Sequence, residues 1–338
     1  MNIKNRRYTG SKQKLIKWIK SVMMEECKNC TSFFDVFGGT GVVTSECLDL
    51  YNEFFINDFL YSNEIIYYGF LDNSIKYNIA KLYKIKDKYS KLVPGQIDDN
   101  YISDNYGDKY FSYNDAKIIG YIRDDIEQKK IKRTINKKEY AILLTSLLYS
   151  FDKISNTVGH YEAFIKGHNI PDRFIFELIR PNDHRKKIHI YREDSNILAR
   201  KINADIAFVD PPYNSRQYSR FYHAMETIVK WDKPELIGVA RKPKEENMSD
   251  YCRSGAPVVF KDLVDNLNVK YIIVTYNNTY NSKSSSSKNK ITLEQIIEIL
   301  KNRGTVKVFE HKHNAFNAGK TNLKDHKEFL FVCEVANG

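Results

Sequence analysis

The chain of 338 residues is predicted to be an α/β protein built on a Rossmann-like, mostly parallel sheet, and three observations carry that prediction. The apolar run Phe33-Phe34-Asp35-Val36-Phe37 enters the glycine turn Gly38-Gly39-Thr40-Gly41 and is followed by a helix-compatible stretch over residues 42–50. About 20 residues further on, Phe54-Phe55-Ile56-Asn57 forms a second short apolar run with Asp58 at its tip, the spacing of a nucleotide-binding βαβ unit. The third is the buried-looking strand Ile206-Ala207-Phe208-Val209, which ends on Asp210-Pro211-Pro212-Tyr213.

The elements follow in order. Residues 12–24 read as an amphipathic helix with Leu15, Ile16, Ile19, Val22 and Met23 on one stripe. Its amino end carries Tyr8 and Lys12. Cys27 and Cys30 form a Cys-x-x-Cys pair, but no second pair completes a zinc site. The Tyr-rich residues 59–82 read as helical. Between residues 83 and 192 no strand and crossover helix alternate until the end of that span, and its clearest element is a helix over residues 140–151. The buried face of that helix is Ala141, Leu143, Leu144, Leu147, Leu148 and Phe151. A parallel sheet interrupted for so long implies an inserted lobe. The sheet resumes with Ile188-His189-Ile190-Tyr191, and a short helix is expected at 195–201. Then come the strand at 206–209, a helix at 220–229, a strand at 271–276 and a helix at 293–300. Strands at 306–309 and 329–333 make a closing hairpin. The run 282–288, serine and lysine without an apolar anchor, is expected to be a mobile loop.

The chemistry sits at the strand ends. Two prolines fix φ and donate no backbone hydrogen bond, so Asp210 and Tyr213 are held at a rigid corner. Asp210 and the nearby carbonyls can accept from an amino group in the plane of a ring, and Tyr213 can lie against that ring's face. A planar amine such as adenine fits, at the place where open α/β sheets bind ligands. The bland alternative is a strand stop with a turn acid and a packed tyrosine. In the glycine turn, Thr44 replaces the third glycine of the dinucleotide fingerprint and no Gly-Lys-Ser/Thr follows. A nucleoside without a pyrophosphate, such as S-adenosylmethionine, suits it better, with Asp58 accepting from the ribose hydroxyls.

Together these residues resemble the Dam-like N6-adenine-specific DNA methyltransferases in which the cofactor motif precedes Asp-Pro-Pro-Tyr, and they are similar to restriction-modification enzymes of the FokI-methyltransferase type. Arg7-Tyr8-Thr9-Gly10-Ser11-Lys12 matches the family's amino-terminal cofactor segment, Phe37-Gly38-Gly39-Thr40-Gly41 its glycine motif, and Asn57-Asp58 its ribose acid. The extended motif from Asp210 through Arg216 to Tyr218 is far more specific than its four-residue core. Further matches are residues 156–161, 275–278 and 327–331.

The resemblance implies a seven-stranded methyltransferase sheet formed by residues 1–82 and 188–338, with a mostly helical DNA-recognition lobe inserted at 83–187. It implies site-specific adenine methylation of double-stranded DNA with S-adenosylmethionine as cofactor and no metal. The protein is expected to be the protective partner of a restriction endonuclease that acts separately, and a monomer or weak dimer. The catalytic residues are expected to be Asp210, Pro211, Pro212 and Tyr213. The cofactor residues are expected to be Tyr8, Gly10, Lys12, Asp35, Phe37, Gly39, Gly41, Asp58 and Asp194. Asp194 reads equally as a helix N-cap. Lys129, Lys130, Lys132 and Arg133 form the densest basic run, either a solvated face or a set of phosphate contacts. Asn156, His160 and Tyr161 read either as a satisfied loop or as a segment facing the DNA or the flipped base, and Arg216 and Tyr218 are expected to contact the DNA.

Composition agrees. Lys and Arg number 53 against 42 Asp and Glu, a net charge of +11, and the pI is about 9.1, so an anionic partner is favoured. A mean hydropathy of -0.52 and the lack of any apolar stretch near 18 residues speak against a membrane span. No secretory leader is recognised, and five scattered cysteines point to a reduced, cytoplasmic protein. Three other readings use the same residues: an RNA adenine methyltransferase, a nicotinamide-dependent oxidoreductase disfavoured by Thr44, and a DNA-binding protein that has lost turnover.

Overall fold

A computed structural model of the chain describes residues 1–167, 169–277, 288–312 and 327–336. In chain order the elements are α1 (Ile16–Glu26), β1 (Ser32–Asp35), α2 (Val42–Glu46), β2 (Glu53–Asn57), α3 (Tyr61–Phe70), α4 (Ile79–Tyr89), α5 (Tyr101–Tyr106), α6 (Tyr113–Ile131) and α7 (Lys137–Ile154). They continue with β3 (Lys187–Tyr191), α8 (Ser195–Ala199), β4 (Ile206–Val209), α9 (Tyr218–Phe221), α10 (His223–Lys230), α11 (Ala256–Asn266), β5 (Tyr271–Asn277), α12 (Leu293–Lys301), β6 (Gly304–Lys312) and β7 (Lys327–Val335). They group into two compact units. One holds Lys12–Phe59, Lys186–Tyr218 and Asn247–Gly338; the other holds Met1–Ser11, Leu60–Arg185 and Ser219–Glu246.

The first unit is a seven-stranded sheet in the order β3-β2-β1-β4-β5-β7-β6. β1 to β5 run parallel, and β7 is antiparallel to both of its neighbours. Side chains alternate across the sheet because successive residues of a strand point to opposite faces. Phe33, Phe54, Phe208, Ile273 and Leu330 pack with Leu15, Ile16, Ile19, Val22 and Met23 of the α1 region. Phe34, Ala207, Val209, Ile272 and Val274 pack with Leu198, Phe260, Leu263, Ile296 and Leu300 from α8, α11 and α12. Each fully buried Phe contributes on the order of 1.5–3 kcal/mol. The sheet reverses direction of growth between β1 and β4, the switch point at which α/β sheets bind ligands.

The second unit is helical. α7 is its most buried element, opened by a capping box between Asn136 and Glu139. Lys138 is buried, and its ammonium donates to the carbonyls of Tyr68 and Gly69 at the end of α3, both at 2.9 Å. Burial lowers its pKa to about 8. Fully buried Arg123 of α6 does the same for α10, donating to the carbonyls of Ile228 at 2.6 Å and Val229 at 3.1 Å while pairing with Glu127 at 2.8 Å. Cations placed on the last carbonyls of a helix satisfy them and oppose its dipole.

Several expected boundaries differ. The helix after the glycine turn ends at Glu46, well short of residue 50. The stretch 59–82 divides into α3 and the start of α4, because Asp72 accepts from the Ser74 amide and turns the chain. The helix expected at 220–229 is two helices, α9 and α10. The helix expected at 195–201 ends at Ala199. α5, α6 and α11 were not foreseen. The compact helical unit starts at Leu60, ends its long stretch at Arg185, and adds Met1–Ser11 and Ser219–Glu246, whereas the expected lobe was the single span 83–187. Of the serine-rich run 282–288, residues 282–287 lie outside the described residues. Among the described residues no helix is long and apolar enough to cross a membrane.

Candidate active site

β4 and β5 end at the same level, since Val209 pairs with Val274 in register. The next residues, Asp210 and Thr275, therefore lie side by side. The Thr275 hydroxyl donates to Oδ1 of Asp210 at 2.5 Å. Oδ2 of the same carboxylate pairs with the Lys12 ammonium, also at 2.5 Å, with the two side chains 13% and 20% exposed. Both oxygens are engaged, yet each keeps a second lone-pair direction for an incoming donor. Pro211 is buried, Pro212 half-buried, and Tyr213 is 7% exposed. The Tyr213 hydroxyl donates to the Thr275 carbonyl at 2.5 Å, and its ring meets Tyr276 edge-on, with centroids 4.8 Å apart. Burial pushes the Tyr213 phenol far above its ordinary range. The corner is thus rigid through side-chain bonds as well as through its prolines.

The glycine turn follows β1. Gly39 and Gly41 take φ of 53° and 73°, a left-handed backbone that suits glycine. Gly38 N donates to Asn57 O and Gly41 N to Gly38 O, each at 2.7 Å. Asp58, just past β2, accepts from the Gly39 amide at 2.9 Å, which ties its carboxylate to the loop. Asn57 is buried and spans the gap to the end of β3, donating to the carbonyls of Val36 and Glu193 and accepting from Glu193 N. Phe37 is half-buried and meets Tyr251 edge-on at 5.1 Å. Tyr251 in turn donates to Asn196 at 2.7 Å. Asp194 is exposed and caps α8, its Oδ1 accepting from the amides of Asn196 and Ile197. The N-cap reading holds in the structure.

Asp35 requires a correction. It was expected at the cofactor, but it is 1% exposed and turned onto the Thr44 hydroxyl at 2.8 Å. Burial raises its pKa to about 7, and the carboxylates of Asp210 and Asp58 push in the same direction. The bond from Thr44 ties α2 to β1. What remains suits a nucleoside: a carboxylate at a strand tip for a diol, left-handed glycines that let a ligand close in, and the half-buried ring of Phe37. Asn57, Thr275 and Tyr251 were given no role from the sequence. For Thr275 the signal was available, since parallel neighbours β4 and β5 had to bring it beside Asp210.

The other expected residues are divided between the two units. Arg216 and Tyr218 belong with the sheet, Arg216 half-buried and Tyr218 opening α9. Tyr8 and Gly10 belong to the helical unit, where Tyr8 stacks on Tyr222 with centroids 4.7 Å apart. The guanidinium of buried Arg6 lies 4.9 Å and 5.1 Å from those two rings. Gly10 has φ of 81°. His160 stacks on Phe221 at 4.5 Å. Tyr161 is fully buried and donates to Asp152 at 3.0 Å, so its ring faces protein and not a base. Asn156, 6% exposed, spends its amide on the carbonyls of Lys109 and Ile165 and shapes the loop. At the end of α6, Lys129 pairs with Asp125 and Lys130 with Glu127, while Lys132 and Arg133 are exposed.

A family model described as D12 class N6 adenine-specific DNA methyltransferase matches residues 8–281. The modification methylase StsI of Streptococcus sanguinis is 33% identical over 298 residues, covering 80% of this chain and 44% of that protein. The type II methyltransferase M.FokI of Planomicrobium okeanokoites is 30% identical over 352 residues, covering 97% of this chain and 52% of that protein. M.NlaIII of Neisseria lactamica, a type II methyltransferase, is 29% identical over 346 residues, covering 97% of this chain and 98% of its own length. The chain thus spans about half the length of the StsI and FokI relatives and nearly all of the NlaIII one.

Proposed function

Because the chain belongs to the D12 class of N6 adenine-specific DNA methyltransferases, we propose that it methylates the 6-amino nitrogen of adenine at a specific site in double-stranded DNA. The observation that carries this reading is the Asp210 to Tyr213 corner, pinned through Thr275 at the carboxyl end of β4 and next to the switch point of the sheet. S-adenosylmethionine, when bound, supplies a methyl group on a sulfonium that leaves readily. Gly39, Gly41, Phe37 and Asp58 would hold it, with Tyr8, Gly10, Lys12 and Asp194 as further candidates.

The amino nitrogen of adenine is a poor nucleophile, since its lone pair is delocalised into the ring. Asp210 and the Pro211 carbonyl accept its two hydrogens and draw it toward tetrahedral geometry, which frees the lone pair for direct transfer. Such acceptance strengthens as positive charge develops on nitrogen, so it acts on the transition state. Asp210 need not be a strong base, because a methylated ammonium gives up its proton readily. The base must also leave the duplex stack, at a cost on the order of a few kcal/mol. Tyr213 stacking on it returns about 1–3 kcal/mol. Exposed cations of the helical unit, Lys132 and Arg133 among them, supply phosphate contacts for the rest.

In the cell this reading makes the protein a cytoplasmic, protective partner of a separately acting restriction endonuclease. The test is expression in a methylation-free host followed by sequencing with base-modification detection, beside Asp210→Ala as control. N6-methyladenine at one recurring sequence, absent in the control, is the expected result. Methyl incorporation into structured RNA but not into duplex DNA would overturn the DNA assignment.

A further inference from the structure

We propose that Thr275 is the positioning residue of the Asp-Pro-Pro-Tyr corner, orienting the Asp210 carboxylate with its hydroxyl and the Tyr213 ring with its carbonyl; this rests on the reading above. One residue of β5 reaches both working groups: its Oγ1 donates to Asp210 Oδ1 and its carbonyl accepts from the Tyr213 hydroxyl, each at 2.5 Å. Pro211 fixes the backbone after Asp210 but leaves the carboxylate free to turn about its own side-chain bonds. Thr275 removes that freedom. It is 2% exposed, so water does not compete for its hydroxyl, and a β-branched side chain is stiff at χ1. The strand register supplies the alignment, because Val209 pairs with Val274 on one side and Thr275 pairs with Leu330 on the other. Thr275 is therefore held from both flanks of β5. Lys12 at Oδ2 and Thr275 at Oδ1 fix the carboxylate plane.

Substitution separates the two roles. Thr275→Val keeps the carbonyl that anchors Tyr213 and loses only the hydroxyl, while Thr275→Ser keeps both. Single-turnover methyl transfer to duplex DNA should slow by about tenfold or more in Thr275→Val. Affinities for S-adenosylmethionine and DNA should stay near the parent values, and Thr275→Ser should recover most of the rate. A Val variant with the parent rate, a loss confined to KM, or a folded Ser variant as slow as Val would overturn the proposal. A second measurement does not depend on turnover. The side-chain carboxyl resonance of Asp210 in a carbon-13 aspartate-labelled sample, assigned by its loss in Asp210→Asn, should move in Thr275→Val and hold in Thr275→Ser. An unmoved resonance in Val also overturns it. A parent protein that transfers no methyl group to DNA counts against the enzyme reading, and the resonance still decides the bond from Thr275 to Asp210.

Discussion

Lys12 is paired with Asp210 at 2.5 Å, so an amino-terminal residue expected to bind the cofactor also braces the acid of the Asp-Pro-Pro-Tyr corner. The pair is mostly shielded from water, which makes its loss costlier than that of a surface pair.

Lys12→Met should therefore act on the rate more than on cofactor affinity. A charge-assisted bond contributes about 1.5–3 kcal/mol, so a fall of about tenfold in kcat is expected, with S-adenosylmethionine binding little changed. Calorimetry that finds the whole effect in cofactor affinity would return Lys12 to the cofactor.

Tyr213→Phe keeps the ring and its edge contact with Tyr276 but deletes the bond to the Thr275 carbonyl. The folded state should lose about 1 kcal/mol, with methyl transfer reduced severalfold. Tyr213→Ala should abolish transfer, because the ring itself is gone. Equal damage from both in folded protein would show that the hydroxyl, not the stacking face, matters.

Asp35→Asn tests the buried carboxyl. Its ordinary pKa is 3.8, and in the folded protein it is about 7. Between those values the folded state holds a proton that the unfolded state does not, so stability declines as pH rises. The contribution is complete below 3.8 and gone above 7. Urea unfolding of Asp35→Asn against the parent should show a variant that gains relative stability from about pH 4 to about pH 8, by up to a few kcal/mol. A difference constant across that range would mean that Asp35 is not a neutral buried acid.

In the basic run, Lys129 and Lys130 already have acidic partners on α6. Neutralising Lys132 and Arg133 should flatten the salt dependence of DNA binding by about 0.9 in slope for each phosphate that is no longer neutralised. Neutralising Lys129 and Lys130 should do less. An unchanged slope in the first pair would make this helix end a solvated face.

The sheet was legible because β1, β2 and β4 are short apolar runs that stop on a polar residue at the carboxyl end, at Asp35, Asn57 and Asp210. The helical unit was harder. α6 escaped notice because its inward face carries Asp115 and Arg123, both buried. Asp115 accepts from the amides of Arg173 and Phe174 and Arg123 caps α10, so polar groups stand where an apolar period would be sought. Tyr161 misled in the opposite sense: a tyrosine among polar residues reads as a surface group, and only the Asp152 carboxylate, placed by α7, makes its burial satisfiable. The corner at Asp210 was read from its own residues, but its supports come from Thr275, which only the pairing of β4 with β5 brings beside it, and from Lys12, which local pattern cannot join to it.

The helical unit is assembled from Met1–Ser11, Leu60–Arg185 and Ser219–Glu246. Glu226 from its last stretch receives the amides of Tyr61 and Ser62 that open α3, and that stretch also provides the two carbonyl acceptors of Arg123, Ile228 and Val229. During synthesis α3 stays uncapped and Arg123 lacks its carbonyls until the ribosome has passed residue 230. A fragment of residues 60–185 would carry the same defects permanently, so grafting this unit into a relative means transplanting three separate pieces of chain together.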